Sequence, residues 1–284
     1  MAKLKPDPIG LADLNEYINQ ESDFAFELEV LKMLVDAGIP CEHGGHYEDP
    51  IEGKSREFDI RARFVEGACY VSMAIECKRI RENFPVLVSC VPRTPRESYH
   101  YVALSTPHGI DGPPAYQQAE GYNAGATLHG VKLLRGRSIY ASREYVGKST
   151  SQVGRDANGI TANDSGLFEK WGQCVASSHD LIGEIHLRAA NDRHEQVTAV
   201  IPIVVVPNNR LWVVKYDSGG NIQQEPQLVN RISVFAGKRM TMASNQGTMP
   251  FWISHTEFMT INGLEEFVED QLKGPGAMEN LFGL

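Results

Sequence analysis

The chain has 284 residues, enough for one large domain or two small ones, and 27 Lys and Arg against 36 Asp and Glu give a net charge of −9, which argues mildly against nucleic acid because phosphate binding needs local positive potential. Apolar residues make up 42%, ordinary for a globular protein; no apolar run reaches the length of a membrane span, and Met1 to Pro6 lacks the apolar core of a secretion signal, so cytoplasmic residence is expected. The five cysteines (Cys41, Cys69, Cys77, Cys90 and Cys174) never occur as Cys-x-x-Cys and are expected to be reduced, buried thiols rather than a disulfide framework or zinc ribbon.

Two helices are expected first, over 11–20 and 24–37. In the second, Phe24, Leu28, Leu31, Leu34 and Val35 recur at helical spacing and Gly38 supplies the stop. Glu27 falls in that apolar stripe; Glu29 lies nearly opposite Leu31, among Lys32 and Asp36. The stretch 40–55 reads as a loop, and its His43-Gly44-Gly45-His46 as surface rather than a metal pair, since no thiolate stands at finger spacing. A strand then places Glu57, Asp59, Arg61 and Arg63 on one face and Phe58, Ile60, Ala62 and Phe64 on the other. The run 70–79 alternates likewise, Val71, Met73, Ile75 and Cys77 opposing Ser72, Ala74, Glu76 and Lys78, and a short apolar strand is expected over 86–91.

From 92 to 159 the chain is rich in Pro, Gly, Ser, Thr and Tyr and reads as a long irregular insertion with short strands around 99–104 and 138–140. Within it, Lys132, Arg135, Arg137, Arg143, Lys148 and Arg155 face only Glu144 and Asp156, a local positive excess in an acidic protein. Gly147-Lys148-Ser149 ends like a phosphate-binding P-loop, but Ser142 occupies the position of its first glycine and the match fails. Asn163-Asp164-Ser165 offers a cap for a long helix with Leu167, Trp171, Val175, Ser178, Ile182 and Ile185 along one stripe. The β-branched run 197–206 predicts a strand buried on both faces, with 211–216 pairing back onto it through Pro207 to Arg210 and with 229–235 and 251–254 extending the sheet. A last helix is expected over 263–272, and the tail from 274 is expected to be loosely held, Leu281 and Phe282 being available to a partner. No Gly-x-Ser-x-Gly elbow occurs, so esterase chemistry lacks its usual cue.

If the strands at 57–64 and 70–79 pair, Asp59, Glu76 and Lys78 gather on one surface. Two carboxylates can hold a hard divalent cation through oxygen, and a lysine beside them can orient or help deprotonate a water for attack on phosphorus. The competing reading is a solvent-facing strand edge with ordinary charges, which the apolar neighbours Ile75 and Cys77 oppose. The Asp on one strand and Glu76-Cys77-Lys78 on the next resemble the PD-(D/E)xK nuclease superfamily, and Phe26-Glu27 in a hydrophobic helix ending at Gly38 looks like the first helix of Mrr-type restriction nucleases. The resemblance covers roughly residues 20–92, and Phe58 stands where the family's proline would be.

That resemblance implies an α/β, restriction-endonuclease-like domain: a mixed β-sheet flanked by helices, with its core at 20–92 and 160–273 and the insertion at about 93–159. It implies a Mg²⁺-dependent endonuclease hydrolysing DNA, with Mn²⁺ as a substitute and a restriction or phage-defence setting. Asp59, Glu76 and the Cys77 main-chain carbonyl would hold the metal, Lys78 would position water, and Glu27 would orient water or bind a second ion. DNA contacts are expected from Arg135, Arg137 and Lys148, and from Gln152, since related nucleases place glutamines near the scissile strand; for Gln152 and Gln173 a plain polar position is the simpler reading. A homodimer, or a partner subunit in a defence or repair system, would be compatible. The alternative function is a non-cleaving nucleic-acid-binding or assembly module of the same fold.

Overall fold

The structure, a computed structural model, describes residues 7–20, 22–107, 126–134, 137–141, 144–157, 159–192, 194–244 and 247–283. In chain order these form α1 (Leu11–Gln20), α2 (Phe24–Asp36), β1 (Cys41–Glu48), β2 (Ser55–Glu66), β3 (Cys69–Cys77), β4 (Val86–Pro92), β5 (Tyr99–Pro107), β6 (Ala126–Leu134), β7 (Tyr145–Asp156), β8 (Gly159–Ala162), α3 (Ser165–Asp192), β9 (Gln196–Val206), β10 (Leu211–Lys215), β11 (Gln227–Leu228), β12 (Arg231–Ser244), β13 (Gly247–Thr260), α4 (Ile261–Phe267) running into a π-helical turn (Val268–Leu272), and α5 (Ala277–Phe282). The protein is α/β, a large mixed sheet flanked by few helices, and no helix among the described residues is long and apolar enough to cross a membrane.

The sheet runs β1-β2-β3-β9-β13-β12-β7-β4-β10-β11. At its centre β3 and β9 are parallel and in register from Cys69↔Val197 to Cys77↔Val205, as expected for strands buried on both faces. Alternation then sorts the core. Ile201, Ile203 and Val205 of β9 join Val71, Met73 and Ile75 of β3 beneath α2, α4 and α5. The opposite face packs under α3, where Ala74 and Val200 meet Leu181, Ile182 and Ile185, and Val204 and Val206 meet Leu167 and Cys174. The second edge of β9 is divided: residues 203–206 pair in parallel with β13, and 196–199 pair antiparallel with β5, so the sheet forks there.

Several expectations need correction. The segment 40–55 is not all loop, because β1 pairs along β2 from Cys41↔Ala62 to Glu48↔Ser55. Gly45 is glycine for a packing reason, since a Cβ there would sit 2.3 Å from the Phe58 ring. The insertion is not irregular where it is described: β5, β6 and β7 all enter the sheet, whereas 138–140 forms a turn. Strand β10 does not pair with β9, both of whose edges are taken; it lies parallel to β4 and antiparallel to β11. In α2 the buried stripe is Phe26, Val30 and Leu34, sharing only Leu34 with the expected one and turned from it by about one residue, and Phe24, Leu28 and Val35 are exposed. The tail is not loose, because α5 buries Met278, Leu281 and Phe282 in the core and the Leu281 carbonyl lies 2.7 Å from His100 Nε2.

Candidate active site

The antiparallel register of β2 and β3 runs from Glu66↔Cys69 to Ile60↔Ile75, so Asp59 lies just past the last pair on the face it shares with Arg61. There its Oδ2 accepts the Cys77 backbone N–H at 2.7 Å, which fixes the carboxylate across the end of β3 beside Glu76. Both acids are buried, Glu76 almost completely, at 1% exposure. Helix α3 covers them. Its hold on the sheet comes from Cys174, whose Sγ lies 3.2 Å from the Ala74 carbonyl and 3.4 Å from that of Ile203. One turn earlier on the same face, Lys170 Nζ donates to Asp59 Oδ1 at 2.8 Å and Oδ2 at 2.6 Å, and to Glu76 Oε2 at 3.2 Å.

Lysine 170 is the group that sequence reasoning missed. A signal existed: it stands in phase with Cys174, Ser177, Ser178 and Leu181, all buried, so a lysine occupied the inner stripe of an amphipathic helix and needed partners there. The other expected lysine goes elsewhere. Lys78 Nζ pairs with Asp23 Oδ2 at 2.9 Å, while Asp23 Oδ1 accepts the Arg79 backbone N–H at 2.8 Å, so Lys78 is turned toward the start of α2 rather than onto the carboxylates. Glu27 borders the centre, with His43 Nε2 3.5 Å away, and Glu29 is exposed as expected.

Burial, reinforced by the neighbouring Asp59 charge, pushes the Glu76 carboxyl up to about 8 against the pull of Lys170. Burial and then Asp59 raise Glu27 as well, with Lys170 and His43 opposing. For Lys170, burial disfavours the ammonium, but Glu76 and Asp59 outweigh it and its pKa is raised. At neutral pH Lys170 is therefore cationic and Glu76 largely protonated.

Of the four expected DNA contacts, three lie among the described residues. Arg135 lies outside the described residues. Arg137 is exposed beside Gly283, and Lys148 is paired with Glu97 and lies 4.9 Å over the Phe235 ring. Gln152 lies within β7, opposite Val86 of β4, and is 8% exposed.

No family model, curated protein or solved structure matches this chain. Among the described residues no group of three or more His, Cys, Asp or Glu side chains is arranged to hold a metal ion. Two carboxylates do converge around a cationic group, and Glu76 Oε1 is buried without a hydrogen-bond partner. Hard oxygen donors with one unsatisfied atom suit a small divalent cation completed by water and substrate oxygens.

Proposed function

We propose that the chain is a Mg²⁺-dependent phosphodiesterase of restriction-endonuclease-like fold acting on DNA, with its centre at Asp59, Glu76 and Lys170. The observation that carries the reading is the meeting of two buried carboxylates from adjacent strands at one lysine from the covering helix, where a merely structural ion pair would need only one acid. The mixed sheet with helices on both faces supports the fold part of the reading.

Asp59 and Glu76 would hold the ion, with the Cys77 carbonyl beside them. A divalent cation bound there would supply Lewis acidity and would lower the pKa of a water it held. The chain's own residues do the rest. The Cys77 N–H keeps Asp59 in place, burial keeps bulk water from Glu76, and Lys170 is placed to hold a water or to meet charge developing on a phosphate oxygen. Lys170 thus takes the part that the motif resemblance gave to Lys78. Glu27 stands at the border as a further proton acceptor.

A second reading, a non-cleaving binding module of the same fold, draws on the closure of Lys170 over both acids, which leaves them neutralised without any metal. Incubation of supercoiled, linear and single-stranded DNA with Mg²⁺ or Mn²⁺ separates the two. Cleavage is expected, with Asp59→Asn, Glu76→Gln and Lys170→Met each slower by about two orders of magnitude or more while the circular dichroism stays native. No cleavage of any of these substrates by the wild-type protein, or cleavage that all three variants retain, would refute the nuclease reading.

A further inference from the structure

Beyond the carboxylates, the end of β3 and the start of α3 open onto a second feature, a cleft of about 400 Å³ whose lining includes Lys78, Arg79, Arg81 and Arg155 and, among the described residues, no acidic side chain. The lining also takes in Ser165 and Gly166, the first turn of the 28-residue α3, where the helix dipole favours an anion, although the Ser165 N–H already donates to Asn163 Oδ1 at 3.3 Å. Asp23 occupies Lys78, but Arg155 reaches the cleft from an exposed position on β7.

An independent observation points to a ligand. Gln152, also in the lining, is only 8% exposed, and its backbone is fully used: the N–H donates to Asp164 Oδ1 and the carbonyl accepts from Asn163. Its side-chain amide makes no hydrogen bond among the described residues and faces the cleft. That amide is not sealed inside the protein but borders the cleft, where a ligand oxygen can take its hydrogen bonds. Next to it Phe84 packs on Gly154, where a Cβ would fall 2.2 Å from the ring, so the wall carrying Gln152 and Arg155 is rigidly seated.

We propose that this cleft binds a phosphate of a nucleic-acid strand, neighbouring the one presented to Asp59 and Glu76; the inference rests on the nuclease reading for the identity of the strand. The geometry supports adjacency. Gly166, on the cleft, and Lys170, on the carboxylates, are four residues apart on α3, a rise of about 6 Å, and Lys78 follows Glu76 by two residues in the same strand direction. A strand lying along the N-terminal end of α3 would therefore meet three arginines and an amide donor first and the carboxylate centre next. Arginine suits this role because its planar fork can donate two parallel hydrogen bonds to phosphate.

The test measures binding in EDTA, where cleavage plays no part, by fluorescence anisotropy of a labelled 20-nucleotide single-stranded DNA. Wild-type protein is expected to bind, inorganic phosphate to compete at high concentration, and Arg155→Ala and Gln152→Met each to weaken binding about fivefold or more. Arg155→Ala should also reduce the slope of log affinity against log salt by roughly 0.7. Lys32→Ala and Lys54→Ala, exposed lysines outside the cleft, should leave affinity within twofold. Unchanged affinity in both cleft variants, or no strand binding by the wild type, overturns the proposal, as does binding of free phosphate alone. If the cleft variants lose binding while the wild type cleaves nothing in Mg²⁺, the cleft stands and the nuclease reading falls; cleavage with cleft-independent binding gives the reverse.

Discussion

At the scale of single residues, the behaviour of Glu76 decides how the centre responds to pH. Its folded-state pKa is raised to about 8 from an ordinary 4.5, so the folded protein binds more protons than the unfolded chain between those values, and stability falls as pH rises through that window. Glu27 is raised and acts in the same direction. Lys170 is raised too, but its contribution is full below the ordinary lysine value and is lost only at higher pH, outside the window. The expected result is a urea midpoint that drops between pH 5 and pH 8, with Glu76→Gln removing much of the drop. A midpoint that rises over this range would contradict the assigned burial. Asp59 and Glu76 were legible because strand alternation is local and strict: once each run was recognised, the side chains sharing a face followed. Lys170 was not, since nothing in the strands announces which residue of a distant helix will lie over them.

At the scale of elements, periodicity identified α2, α3, β2, β3 and β9, and its failures have physical causes. Gly, His and Pro made β1 look like a loop, although Gly45 is there to admit the Phe58 ring. The partner of β10 could not be read, because pairing depends on which edges other strands have already occupied. The final helix is the clearest case of an element settled by tertiary contact. Six residues are too few to form a stable helix alone, and α5 persists because Leu281 and Phe282 are 1% and 3% exposed in the main core. Leu281→Ala should cost about 3 kcal/mol, measured by equilibrium urea unfolding. A cost under about 1 kcal/mol would show that the helix is not anchored as described. Gly147 offers a complementary test, since a Cβ there would come within 2.7 Å of Val88 and 2.8 Å of Val234; Gly147→Ala should lose about 2 kcal/mol by overpacking.

At the scale of the whole molecule, the sheet is held together by pairings between segments far apart in the chain, β3 with β9 and β4 with β10 above all. Loop closure must precede such contacts, so folding is expected to be slow for the protein's size. Stopped-flow refolding from urea, followed by the fluorescence of Trp171, Trp212 and Trp252, should show the native signal returning over about a second or longer. Complete recovery within a few milliseconds would show that the central pairing does not limit the rate. The order of synthesis adds its own constraint. All nine residues of β3 are buried in the finished protein, yet the strand that covers its free edge begins about 120 residues later. At roughly 5–20 residues per second, a ribosome leaves that edge waiting for something like ten seconds. During that interval the newborn chain offers a bare apolar strand with its hydrogen-bonding groups unmet, the kind of surface on which nascent proteins stick to one another or are taken up by chaperones.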